Sequence, residues 1–103
     1  IRPEGAITWL RRACEVEPDN GLNHIALAEA LLQHDQAEAA LPSAERAVEF
    51  APTAPAAYLA LGAAARRTGD LQRAREAYSR ALDLDPDNAD ARAGLAHLAP
   101  GPR

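Results

Sequence analysis

The sequence has little of what most protein chemistry uses. It contains one cysteine, three histidines and no methionine, and aromatic residues make up only 4% of its 103 positions. One cysteine excludes an internal disulfide framework, and the six glycines stand singly, so no Gly-rich phosphate-binding loop is present. The histidines are ten or more residues apart, without cysteine or acidic partners at metal-ligand spacing. We therefore predict no cofactor, no metal site and no enzymatic activity.

The sequence also lacks a basic excess and a long apolar run. Its net charge of −4 argues against nucleic acid as a partner, because a basic surface is what attracts a phosphate backbone. No apolar run approaches the ~18 residues of a membrane span and no signal peptide opens the chain, so no membrane partner is predicted. The compartment stays open, with the cytoplasm slightly favoured.

The first residue is Ile1 rather than Met, and we interpret the chain as a segment excised from a longer protein. Targeting information that such a protein carries is then missing from this sequence. The Ala- and Arg-rich composition suits the coding bias of a GC-rich bacterial genome.

What the sequence does contain is an internal repeat. When the chain is shifted along itself by 34 residues, many residues coincide in threes. These sets are Pro18, Pro52 and Pro86; Ala6, Ala40 and Ala74; Ala13, Ala47 and Ala81; Leu27, Leu61 and Leu95; and Arg12, Arg46 and Arg80. So many coincidences at one offset indicate that nearly the whole chain is built from one structural unit.

The stretch 55–88 carries a more specific pattern. Its spacing is Y-x2-L-G-x2-A…A-x3-Y-x2-A-x4-P, formed by Tyr58, Leu61, Gly62, Ala65, Ala74, Tyr78, Ala81 and Pro86. This pattern resembles the tetratricopeptide repeat, a helix–turn–helix unit of 34 residues. Ala65 departs from it, since that family usually carries an aromatic residue there. The resemblance implies an all-α fold, a right-handed α-α superhelix (solenoid) of helical hairpins with about six helices.

The repeat register divides residues 1–103 into the parts of a single domain. The predicted helices are 5–17, 21–33, 37–50, 55–67, 71–84 and 89–98, separated by prolines and turn residues. Residues 5–20 form the second helix of a truncated repeat, and 21–54 and 55–88 are complete repeats. Residues 89–99 are the first helix of a further repeat or a capping helix, and 100–103 are a tail.

Three local features need an interpretation. The turn before helix 37–50 lacks a counterpart of Gly69, and we expect Asp35 to cap that helix. Pro42 inside the same helix removes a hydrogen bond at a cost of about 3 kcal/mol. It predicts either a kink on the solvent-facing side or a helix that starts late or breaks at Leu41. Cys14 aligns with apolar residues and is predicted to be a small core residue.

The resemblance also implies a function, because the first helix of each hairpin in this family lines a concave groove that holds a peptide or a partner helix. The corresponding residues here form the predicted groove. They are Leu22, Ile25, Glu29, Leu32 and Gln33; Ala56, Leu59, Ala60, Ala63, Arg66 and Arg67; and Asp90, Ala93, Gly94 and His97. With an apolar floor, two arginines at one rim and Glu29 at the other, the groove suits an amphipathic helix or an extended apolar segment bearing some acid.

Some family members grip the terminal carboxylate of a peptide with a Lys/Asn clamp. Ile25 and Glu29 stand where the first Lys and Asn would be, and Ala60 replaces the next Asn. The sequence therefore does not predict a carboxylate clamp, and it does not identify the partner.

Two further functions stay open beside a protein-interaction module. The helix 5–17 lacks its hairpin partner in this sequence, so Ile7 and Trp9 are predicted to be uncovered and to form a contact between copies of the chain. The segment is alternatively a regulatory appendage of an enzyme domain that precedes it.

Overall fold

The computed structural model describes residues 3–98, together with the side chains of 5–98, and this part of the chain is entirely helical between its turns. The helices are α1 (Pro3–Val16), α2 (Gly21–Gln33), α3 (Ala37–Phe50), α4 (Pro55–Thr68), α5 (Leu71–Leu84) and α6 (Ala89–Leu98). The prediction of an all-α solenoid with about six helices is confirmed. The predicted tail, residues 100–103, lies outside the described residues.

The helices form two layers. Helices α2 and α3 pack against each other as one hairpin and α4 and α5 as the next, while α3 also packs against α4. Helices α2, α4 and α6 contact one another in sequence, and α1, α3 and α5 cover one side of them. The molecule is elongated, 48 × 25 × 21 Å, as expected when each unit contacts only its neighbours.

The core between the layers consists mainly of alanine. Ten alanines are completely inaccessible to solvent: Ala28, Ala40, Ala44, Ala47, Ala57, Ala64, Ala65, Ala74, Ala81 and Ala91. Such small side chains let helix backbones approach closely, and they favour helix formation as well. Ala65, the departure from the aromatic pattern, is one of these ten, so its position is filled by neighbouring helices rather than by its own side chain.

The turns that lead into α2, α4 and α6 are closed by equivalent hydrogen bonds. A different side chain is the donor in each turn. Nε2 of His24 donates to the carbonyl oxygen of Pro18 at 2.7 Å, and the hydroxyl of Tyr58 donates to that of Pro52 at 3.0 Å. A guanidinium nitrogen of Arg92 donates to the carbonyl oxygen of Pro86 at 2.9 Å. These residues are 34 apart, and a carbonyl left free at a helix end is a ready acceptor. The register therefore preserves a hydrogen bond and not a residue type.

The prediction that Asp35 caps α3 is wrong. Asp35 adopts a left-handed backbone conformation with φ 58°, at the position where Gly69 has φ 94° in the next hairpin. The following amide donates back across the turn in both hairpins, Gln36 to the carbonyl of Leu31 at 2.8 Å and Asp70 to that of Ala65 at 2.9 Å. The reversal of the chain needs a left-handed residue here, and Asp tolerates that conformation better than most residues. Gln36 is consequently the N-cap of α3 and makes no side-chain cap bond.

Pro42 does not interrupt α3. The helix is continuous from Ala37 to Phe50, and Pro42 lies exposed on it. The interpretation that the helix starts late or breaks at Leu41 is therefore wrong. The residues around the proline anchor the helix, because Ala40 and Ala44 are fully buried against the neighbouring helices.

We expect the Tyr58→Phe variant to be less stable than the wild type by about 1 kcal/mol, because it loses the hydrogen bond to the carbonyl of Pro52. Tyr78→Phe is the matched control, since the hydroxyl of Tyr78 has no hydrogen-bond partner among the described residues. Urea unfolding followed by far-UV circular dichroism measures both. Equal loss of stability in the two variants would contradict the role of the Tyr58 bond.

Candidate functional site

A cleft opens on the free face of the layer formed by α2, α4 and α6. Its volume is about 230 Å³, and we call it the inner cleft. It is lined by Glu29, Leu32, Leu59, Ala60, Ala63, Tyr78 and Asp90, which come from four helices. All of these except Tyr78 belong to the predicted groove, so the repeat register brings them together in space.

The floor of the inner cleft depends on two glycines. A Cβ atom built on Gly62 would lie 2.8 Å from the Tyr78 ring, and one built on Gly94 would lie 2.4 Å from it. The ring of Tyr78 therefore occupies the space that side chains on α4 and α6 would take. This residue is only 4% exposed, yet it lines the cleft, and within residues 3–98 nothing hydrogen-bonds to its hydroxyl. Tyr78 belongs to the repeat pattern of 55–88 and was not among the predicted groove residues.

The polar walls of the inner cleft are acidic. Glu29 on α2 and Asp90 in the first turn of α6 are both exposed. The ion pairs found among the described side chains join other residues, Arg73 to Glu45 and Arg92 to Asp87. Among the residues that the structure describes, none that lines the cleft is basic. The inner cleft is thus an apolar recess with two carboxylates and one phenol hydroxyl at its edge.

Other predicted groove residues are also on the surface. Leu22 is 72% exposed, and Gln33 and His97 are exposed as well. Ala63 and Leu59 are half-buried. Ile25 is a correction, because it is buried with Ala47 and Ala57 in a cluster between α2, α3 and α4 and is not available to a ligand. Helices α3 and α4 cover the side of α2 on which Ile25 lies.

The two arginines of the predicted cationic rim differ in their contacts. A guanidinium nitrogen of Arg67 donates to the carbonyl oxygen of Leu32 at 2.7 Å, which satisfies a free carbonyl at the end of α2. Arg66 is half-buried, and its Nε is buried without a hydrogen-bond partner in the described part of the chain. Neither arginine forms an ion pair among the described side chains, and a neutral carbonyl leaves the charge of the exposed Arg67 in place. The acid-bearing ligand therefore stays a prediction.

The predicted contact between copies is half corrected. Ile7 is buried in the core cluster that includes Leu27 and Leu31, because this side of α1 packs on α2. Trp9, in contrast, is 72% exposed. The residues at the same register position in α3 and α5, Ser43 and Ala77, are buried by the first helix of their own hairpins.

A second and larger cleft lies on the opposite layer, between α1 and α3. This outer cleft has a volume of about 470 Å³. It is lined by Arg11, Cys14, Glu15, Pro18, His24, Leu27, Ala39, Pro42, Ser43 and Arg46. The register equivalents of six of these line a cleft of about 190 Å³ one repeat further along. The sequence carries this signal, since Ala39 and Pro42 stand where that repeat has Arg73 and Glu76.

Cys14 lies half-buried in the outer cleft and packs against the core cluster, as predicted for a small core residue. Burial raises the pKa of its thiol above the ordinary value, and the nearby Arg11 and Arg46 guanidiniums oppose that rise. At neutral pH the sulfur is therefore held as the thiol, the weakly nucleophilic form. The cleft offers a hydrogen-bonding and cationic surface and no activated nucleophile.

We expect iodoacetamide to alkylate Cys14 more slowly in the folded chain than in urea, with a rate that rises at higher pH than for a free thiol. The reason is the raised pKa, which lowers the thiolate fraction at any given pH. Arg11→Gln should slow the folded reaction further, because it removes the larger of the two cationic contributions. Arg75→Gln, on the exposed side of α5, is the control. A faster reaction in Arg11→Gln would contradict this account.

Comparison with known proteins gives relatives of one kind. The family model for the tetratricopeptide repeat matches residues 55–88. The Hsp70-Hsp90 organizing protein of Triticum aestivum is 37% identical over 95 residues, which is 92% of this chain and 16% of that protein. Small glutamine-rich tetratricopeptide repeat-containing protein 2 of Mycosarcoma maydis is 33% identical over 91 residues, 88% of this chain and 26% of that protein. The chain spans about a quarter or less of the length of the curated relatives it matches.

Solved structures are similar over almost the whole chain. The first tetratricopeptide-repeat (TPR) domain of Spaghetti (RPAP3), bound to the HSP90 peptide SRMEEVD, has a TM-score of 0.88 at 25% identity, covering 93% of this chain and 76% of that chain. MamA has a TM-score of 0.88 at 26% identity, covering 93% of this chain and 56% of that chain. The second TPR domain of human RPAP3 shares the fold, with a TM-score of 0.90 at 24% identity, covering 96% and 82%.

None of the helices in residues 3–98 has the length and apolar character to cross a membrane. The same residues contain no group of three or more His, Cys, Asp or Glu side chains arranged to hold a metal ion.

Proposed function

Because the chain belongs to the tetratricopeptide-repeat family, we propose that it is a protein-interaction module that binds an extended segment or a helix of a partner along the face of α2, α4 and α6. The observation that carries the proposal is the inner cleft, an apolar recess to which α2, α4, α5 and α6 all contribute. The similar domain of Spaghetti is bound to an HSP90 peptide, and this similarity supports a peptide-binding role for the present chain.

Exposed apolar surface near the inner cleft supports the same function. Leu22 is 72% exposed at the start of α2, and Leu59 and Ala63 present part of their surface from α4. Burial of such surface against a partner is the usual source of affinity, at about 25 cal/mol per Å² of apolar area. A solenoid of this length offers a short face, so the contact belongs at the small end of protein–peptide interfaces.

The proposal is tested with peptides selected from a random library on the wild-type chain. We expect Leu59→Gln to weaken each selected peptide about tenfold, which corresponds to about 1.4 kcal/mol. Leu71→Gln is the matched control, because Leu71 is 50% exposed but lies on α5 outside the cleft. Fluorescence anisotropy measures the affinities, and thermal unfolding checks that both variants stay folded.

Equal binding by the wild type and Leu59→Gln would overturn the groove as the site. So would a weakening that is the same in both leucine variants.

A second candidate function is self-association through α1, and the exposure of Trp9 favours it. Trp9 is 72% exposed, whereas Ser43 and Ala77 at the same register position are 8% and 3% exposed. Tryptophan buries a large area when it enters an interface, so another helix placed on this face would be strongly favoured. The occupant under this hypothesis is a second copy of the chain.

We expect Trp9→Ser to shift the chain toward the monomer if this second function holds, because the variant removes most of the uncovered apolar area. Sedimentation velocity across a dilution series measures the distribution of species. A wild type that stays monomeric at the highest concentration would dismiss self-association and leave the peptide-binding proposal unaffected.

A further inference from the structure

We propose that the inner cleft is a pocket for a cationic side chain, so that the partner segment presents a lysine or arginine flanked by apolar residues. The proposal rests on the proposed function, because it specifies the chemistry of the segment that the α2–α4–α6 face binds. It differs from the sequence-based expectation of an acid-bearing segment.

The charge of the inner cleft favours a cationic ligand. Glu29 and Asp90 approach the cleft from separate helices, α2 and α6, and neither forms an ion pair among the described residues. Arg67 is held by the carbonyl of Leu32, and no basic side chain of residues 5–98 lines the cleft. A positive group in the cleft would meet two carboxylates without displacing a cation of the chain itself. The same two carboxylates would repel an acidic segment.

The hydroxyl of Tyr78 is a further polar group at the inner cleft. Tyr78 is 4% exposed and lines the cleft, yet its hydroxyl finds no hydrogen-bond partner in residues 3–98. The hydroxyl oxygen is not among the fully inaccessible polar atoms that lack a partner in residues 5–98, so it is open to solvent and to a ligand in the cleft. The hydroxyl oxygen accepts hydrogen bonds, and an ammonium or guanidinium group carries donors only. The accessible hydroxyl and the two carboxylates are therefore all able to accept hydrogen bonds from one cationic group.

The apolar wall of the inner cleft also suits a lysine or arginine side chain. Leu32, Leu59, Ala60 and Ala63 line the cleft beside the polar groups. Lysine and arginine place their aliphatic stems along apolar surface while the charged head reaches polar atoms. An apolar wall next to two carboxylates matches this division within one side chain. A purely apolar side chain would satisfy the wall and leave the three polar groups unused.

The pocket is tested first with a small probe, Nα-acetyl-lysine methylamide, followed by two-dimensional amide NMR of the labelled chain at low salt. We expect saturable shifts at Ala63, Asp90 and Gly94, and none there with Nα-acetyl-norleucine methylamide, which lacks the charge. Glu29→Gln and Asp90→Asn should each weaken the lysine probe about threefold to fivefold, the range of a partly exposed ion pair. Tyr78→Phe should also weaken it, although this variant keeps its stability.

A matched control separates the pocket from the general attraction of an acidic protein for cations. Glu49→Gln on α3 removes the same charge away from the inner cleft and should leave the affinity unchanged. Equal shifts with the lysine and norleucine probes would overturn the proposal. So would shifts that map elsewhere, or equal weakening by Glu49→Gln and Asp90→Asn.

The peptides selected for the groove give the second test. We expect them to contain lysine or arginine, and replacement of that residue by norleucine should weaken wild-type binding about tenfold. The same replacement should matter about twofold or less in the double variant Glu29→Gln/Asp90→Asn, because the attraction is then already lost.

The two proposals fail in different ways. Selected peptides that depend on Leu59 but carry no basic residue would leave the groove function in place and overturn the cationic pocket. A lysine probe that maps to the inner cleft, together with peptides that ignore Leu59, would support the pocket and overturn the groove.

Discussion

Close packing of helices through alanine and glycine is the constraint on which the rest of the structure depends. Ten alanines are fully buried between the layers, and Gly62 and Gly94 give up their side-chain space to the Tyr78 ring. A core of this kind stabilises through many small contacts, so it tolerates little added volume. The same closeness places Tyr78 at the inner cleft, where its hydroxyl is open to solvent. Packing and the candidate site therefore depend on the same two glycines.

The repeat register fixes backbone contacts more firmly than side-chain identity. His24, Tyr58 and Arg92 share one register position and all donate to the carbonyl of the proline six residues earlier. Asp35 and Gly69 share another, where the turn needs a left-handed residue. In each case the chain supplies different chemistry to the same acceptor or the same backbone conformation. Stability is thereby kept while surface composition changes from one repeat to the next.

The sequence was sufficient to predict the helices and the layer each belongs to, because the 34-residue offset and the apolar spacing are local signals. It was insufficient to predict which side of a helix a later element covers. Ile25 and Ile7 were assigned to free surface, yet α3 and α4 cover the first and α2 covers the second. Arg67 was assigned to a charged rim, yet it binds a carbonyl 35 residues away. These contacts join different helices, and the apolar spacing within a single helix does not encode them.

The two clefts show why a repeat family predicts a fold and leaves the ligand open. The inner cleft is acidic through Glu29 and Asp90, and the outer cleft contains Arg11 and Arg46. None of these four residues is needed for the buried contacts between helices, since all are exposed. The outer cleft also exceeds its equivalent in the next repeat because small residues replace Arg73 and Glu76 there. The exposed positions that line the two clefts therefore differ between repeats, and so a ligand must be inferred from each cleft by itself.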